Sequence, residues 1–153
     1  MDHEEWILMP TILGPLYSTA WRGNPPHMLA PDVPVWYRFL DEWAAHFIAL
    51  YYDSLLGGPL LTPAEEQDKM QRMWRAVISK RTDAIAELET EVWLIEVAEH
   101  PEMRAVGQLI TYAALWKEDP KIDKPVHKVL VANSIDPDIA TGLRAVDVTL
   151  HLV

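Results

Sequence analysis

The stretch KRTDAIAELETEVWLIEVAEH, residues 80–100, decides the fold. Two apolar runs, KRTDAIAEL and VWLIEVAE, flank the short polar turn ETE, which predicts an antiparallel hairpin. The two-residue period of a strand puts Trp93, Ile95 and Val97 on one side and Leu94, Glu96 and Ala98 on the other. Glu96 is therefore a carboxylate on an otherwise apolar face. Asp83 lies on the partner strand, and adjacent antiparallel strands can bring the two acids to one place. Two carboxylates so placed suit a hard cation such as magnesium, which takes oxygen ligands and keeps several waters. Such a cation activates water and stabilises charge on a phosphate. The competing expectation is that Asp83 and Glu96 pair with Arg81 or Arg104 instead.

Downstream, a helix is predicted from about Pro101 to Trp116, and Arg104, Gln108 and Tyr112, spaced by four, share one face of it. VHKVLVANS is a nearly continuous apolar run, as expected of a strand covered on both faces. DPDIATGL follows as a short helix, with Asp136 as cap and Pro137 as its first residue. VDVTLHLV alternates, with Val146, Val148, Leu150 and Leu152 inward and Asp147, Thr149 and His151 outward. Upstream, Asp32 caps a helix with Pro34 in its first turn, and Trp36, Phe39, Leu40, Trp43 and Phe47 form its apolar face. The middle of FIALYYDSLLGG is predicted as a strand closed by a turn. TPAEEQDKMQRMW starts with a capping box, Thr62 and Glu65 around Pro63, and turns Met70, Met73, Trp74 and Val77 inward. Strands and helices in this order predict an α/β layer architecture.

The segment from Lys80 to Ser134 resembles the PD-(D/E)XK nuclease superfamily. It is closest to the branch whose motif helix carries Gln and Tyr four apart, and to small phage-encoded proteins with the pattern R-x-D-A, W-x-I-E-V, G-Q-L-x-x-Y. The resemblance implies a nuclease-like core, a mixed sheet flanked by helices. It makes Asp83 and Glu96 the metal-binding carboxylates, with Gln108 and Tyr112 as the helix motif. Ala98 falls where the superfamily's lysine belongs, a residue that orients or activates the attacking water. Arg104 is the candidate replacement, able to clamp a phosphate but not to act as a base, because arginine stays protonated. Lys80 and Lys117 are expected to be solvated, and Glu99 lies on the opposite strand face.

The remaining composition narrows the function. The 153 residues fit one domain, half of them apolar, with no apolar run long enough to span a membrane and no signal-peptide pattern at the start. There is no cysteine, which removes disulfides and thiolate zinc sites. The six histidines show no metal-ligand spacing and are expected to be unimportant. A net charge of −10 argues against nucleic-acid binding, which draws on phosphate neutralisation. Residues 1–33 hold five prolines together with Trp6, Tyr17 and Trp21, and are predicted as an extended arm that docks its aromatics on a partner or on its own domain. Residues 34–153 are expected to form the nuclease-like domain that the resemblance implies. Together with Ala98 and the acidic balance, the resemblance to phage-encoded proteins implies a catalytically degenerate protein without cofactor, a structural or interaction component of a phage virion at the head–tail junction or neck. It would act in the virion or the host cytoplasm and oligomerise through the arm, with Trp6 and Trp21 as anchors. The alternatives are an active magnesium-dependent DNA nuclease using Asp83 and Glu96, and a regulatory subunit of a nuclease or helicase.

Overall fold

The computed structural model describes residues 11–58 and 61–153, excluding the side chains of residues 75–78. Five α-helices are described, α1 (Val33–Trp43), α2 (Pro63–Gln67), α3 (Lys69–Ile78), α4 (Met103–Glu118) and α5 (Pro137–Ala145). The strands are β1 (Ala49–Tyr52), β2 (Leu55–Leu56), β3 (Lys80–Arg81), β4 (Ala84–Glu87), β5 (Val92–Ala98), β6 (Val126–Ala132) and β7 (Val148–Leu152). Five of them form one mixed sheet in the order β1-β4-β5-β6-β7, and β2 pairs with β3 in a separate ribbon. The β1–β4 and β4–β5 pairs are antiparallel, while β5–β6 and β6–β7 are parallel with α4 and α5 as their crossovers. The chain is thus an α/β protein with helices on both faces of the sheet. Among the described residues no helix is long and apolar enough to cross a membrane.

The hairpin forms as its alternation predicts, with Ala84 opposite Ile95 and Ala86 opposite Trp93. Trp93, Ile95 and Val97 pack with Val35, Trp36 and Phe39 of α1. Leu94 packs on the other face, with Tyr112, Ala113 and Trp116 of α4. Glu96, of the same parity as Leu94, is carried towards α4. A buried hydrogen bond of 2.8 Å from the Trp36 indole N–H to the Tyr52 hydroxyl ties α1 to β1. Tyr52→Phe leaves that indole donor unsatisfied in the core, so a loss of about 1–3 kcal/mol is expected in urea unfolding. An unchanged midpoint would show that the donor finds another acceptor.

From Thr11 onward the arm lies along its own domain, one of the two dockings expected of it. Ile12 bridges Leu55, Leu16 bridges Tyr51, and the Tyr17 N–H donates to the Leu50 carbonyl at 2.9 Å. The Leu16 and Tyr17 contacts cover the outer edge of β1, which would otherwise present unpaired backbone groups, and the Ile12 bridge pairs with β2. Trp21 packs against Tyr17 and Tyr52, with ring centroids 5.0 and 5.9 Å away, so much of its surface is used within the chain. Trp6 lies outside the described residues.

The Thr62–Glu65 capping box forms, but the helix it starts ends at Gln67. Asp68 takes an extended conformation and its carboxylate accepts from the Met70 N–H at 2.8 Å, which starts α3 as a new helix. The methionine stripe is also turned the other way, for Met70, Met73 and Trp74 are exposed. In β7, His151 is half-buried instead of outward, its ring 5.2 Å from those of Phe39 and Trp43. Helix α1 covers His151 on that face of the strand while Leu143 of α5 packs near Val148 on the other; Thr149 is exposed as expected, and Leu152, expected inward, is exposed at the strand's end.

Candidate functional site

Strand pairing between β4 and β5 stops at Ala84, and the acids take over from there. The Val97 N–H donates to Oδ2 of Asp83 at 2.8 Å, where a ladder bond would otherwise fall. The Asp83 N–H donates to Oε1 of Glu96 at 3.2 Å. One oxygen of each carboxylate is thereby fixed by a backbone amide across the hairpin. The two carboxyl groups also interact with each other at the wall of the cleft.

That cleft has a volume of about 390 Å³ and is lined by Asp83, Glu96, Ala98, Arg104, Gln108 and Tyr112 among others. The structure therefore brings together all five side chains expected at the site, and Ala98 with them. Gln108 and Tyr112 stand one turn apart on α4. Lys117 does not line the cleft.

The cleft brings Asp32, Asp83 and Glu96 together with Arg81 and Arg104. Burial raises the Asp83 carboxyl to about 6, against hydrogen bonds from Val97 and Glu96 that lower it. Burial, and then the charge of Asp83, raises Glu96 well above the usual carboxylate range. Tyr112 is raised as well, by burial and by the two acids beside it. Among the described residues no ion pair joins Asp83 or Glu96 to a cation. Arg81 instead pairs with Asp53 at 2.6 Å. The arginine-paired arrangement foreseen as the competing expectation is thus not formed. Two buried acids without a cation share a proton or take up a metal, because a second buried negative charge is costly.

The donor set fits magnesium or manganese. Two hard carboxylates, each with an oxygen not held by an amide, match a cation that binds through one or two carboxylates and otherwise keeps water. Among the described residues no cluster of three His, Cys, Asp or Glu side chains is placed to hold a metal. The site would then hold a partly hydrated ion and not an all-protein cage.

Three lining residues had no signal in the sequence. Asp32 stands at the N-cap position of α1 but makes no side-chain cap bond, and its Oδ1 accepts instead from the Glu99 N–H at 2.9 Å. Its charge adds to the raising of both Asp83 and Glu96. His27 also faces the cleft, with φ 61° and its Nε2 3.4 Å from Asp53. Thr82 is buried beside Asp83, its hydroxyl without a hydrogen-bond partner among the described residues. A second cleft of about 530 Å³ shares Arg81, Arg104, Gln108 and Tyr112 with the first and adds Lys80 and Thr111. The two form one groove with an acidic floor and a basic flank. No protein-family model, curated protein or solved structure matches this chain.

Proposed function

We propose that this chain is a PD-(D/E)XK-like domain that keeps the cation-binding half of a nuclease site, lacks the hydrolytic half, and serves as an assembly component. The observation that carries this is the convergence in one cleft of Asp83, Glu96, Arg104, Gln108 and Tyr112 with Ala98. These are the positions at which the sequence resembles that superfamily, and the lysine position is filled by a methyl group. A bound divalent ion would supply charge neutralisation and a polarised water. The chain's own residues would hold the ion through Asp83 and Glu96, orient an anionic group through Gln108, and balance charge through Arg104. No lysine lines the same cleft to take the water's proton. The role in a phage virion, at the head–tail junction or neck, rests on the resemblance to small phage-encoded proteins. With it goes the placement in the virion or host cytoplasm.

The second reading is an active magnesium-dependent nuclease. It is favoured by Lys80, exposed on β3 and lining the second cleft together with Arg104.

Calorimetry with Mg²⁺ and Mn²⁺ is expected to show one binding site, lost in Glu96→Gln. Single- and double-stranded DNA incubated with the protein and either metal is expected to stay intact. Metal-dependent cleavage that vanishes in Asp83→Asn would overturn the proposal for the second reading. Absence of metal binding in the parent chain would remove the cation site from both.

A further inference from the structure

Helix α3 displays an apolar stripe. Met70, Met73 and Trp74 are 71 %, 53 % and 51 % exposed, and their spacing of three and four places them side by side on one face. A contiguous apolar patch on a surface marks a contact site. The helix is also basic. Its charged residues are Lys69, Arg72 and Arg75, in a chain with a formal charge of −10. Arg72 is held against the Glu66 carbonyl at 2.6 Å, which keeps its charge next to the stripe.

A matching surface exists elsewhere on the same chain. An apolar groove of about 530 Å³ runs between α4 and α5, lined by Met103, Val106, Ile110, Ile139 and Val146 among others. Gly107 and Gly142 also line it, and a Cβ added at either would meet nothing within 4 Å, so the groove is open at both points. An adjoining cleft shares Met103, Asp138 and Ile139 with it and adds Asp136, which makes this rim acidic.

We propose that the Met70–Met73–Trp74 face of one copy docks in the α4–α5 groove of a second copy of this chain. The stripe supplies large apolar side chains and the groove an open apolar slot. Lys69 and Arg72 on one side meet Asp136 and Asp138 on the other. Trp74 is the anchor, since tryptophan is enriched among residues that dominate interfaces. The two surfaces are different patches of one chain, so the contact is heterologous. Such contacts close into rings or run on as filaments. This partner assignment rests on the assembly role proposed above.

The test is light scattering on four samples, with circular dichroism to confirm folding. They are the full chain, a Met73→Glu/Trp74→Glu variant, a Met103→Glu/Ile110→Glu variant, and an equimolar mixture of the two variants. All four substituted positions are exposed. The full chain is expected to exceed a monomer's mass, each variant alone to be monomeric, and the mixture to form a dimer and nothing larger. That last result follows because one intact stripe can meet one intact groove only once. A monomeric full chain, a mixture that stays monomeric, or assembly that survives in either variant overturns the proposal. A charge-reversal pair, Lys69→Glu/Arg72→Glu rescued by Asp136→Lys/Asp138→Lys, tests the same contact without altering apolar residues. No rescue counts against it. None of these outcomes depends on metal binding or on cleavage, so failure here leaves the cation-site proposal to its own test.

Discussion

Raising the pH from 4 to 8 in the presence of a chelator is expected to cost the protein on the order of 2–3 kcal/mol as the Asp83–Glu96 pair loses its proton. In the folded chain the Asp83 carboxyl is raised from 3.8 to about 6 by burial. The folded state therefore holds its proton more tightly than the unfolded state does. The stability this confers is fully present below about 3.8 and is lost as the pH rises through about 6. Glu96, raised further by burial and by Asp83, continues the loss at higher pH. For a chain of this size the fall corresponds to roughly 5–10 °C in Tm. The double variant Asp83→Asn/Glu96→Gln keeps acceptors for the Val97 and Asp83 amides but carries no titrating group. Its melting temperature should lack this component of the pH slope and exceed that of the parent chain at pH 8 without metal. Millimolar Mg²⁺ or Mn²⁺ should restore the parent at pH 8 and leave the variant unchanged. Identical pH slopes in the two proteins would mean that the acids are not the strained pair described here.

Ala98→Lys is expected to give the largest change in activity, from no detectable cleavage to slow metal-dependent nicking of plasmid DNA. Ala98 stands two residues beyond Glu96 on β5, lines the same cleft and is only half-buried, so the position has room for a longer side chain. A lysine there would sit among Asp32, Asp83 and Glu96, whose negative charge offsets the cost of bringing an ammonium group into the cleft. A positioned proton-transfer group contributes about 10²- to 10⁴-fold to such a reaction. The gain should disappear when Asp83→Asn is added. A variant that binds metal and still leaves DNA intact would show that the groove does not seat a phosphodiester, whatever its cation does.

The hairpin and the parity of its residues were legible in the sequence because strand alternation is local. Once residues 92–98 are extended, Glu96 must share a face with Leu94 and Ala98. The same holds for Arg104, Gln108 and Tyr112, which one helical repeat puts in a row. Joining those two local patterns in one cleft needed no more than the β5–α4–β6 crossover, which lays α4 over the Leu94 face. Asp32 was not legible as part of the site. Its place before Pro34 satisfies every rule for a helix cap, and only the approach of the Glu99 amide, 67 residues away, draws its carboxylate to the cleft. Arg81 was equally open in sequence, and Asp53, in a turn with φ 55°, claims it at 28 residues' distance.

Helix α3 shows the same limit from the other side. Its spacing of Met70, Met73 and Trp74 determined that the helix has an apolar face, because side chains three and four apart must align. Periodicity carries no information about which way that face is turned. In the fold α2 ends at an extended Asp68, α3 starts anew, and its stripe lies in solvent. His151 is the counterpart in a strand, outward by alternation yet enclosed because α1 packs over that side of β7. By itself the sequence determined what each element presents, since that follows from backbone geometry within a few residues. The tertiary structure alone decided what each presented face meets, since that depends on elements tens of residues apart arriving at the same place.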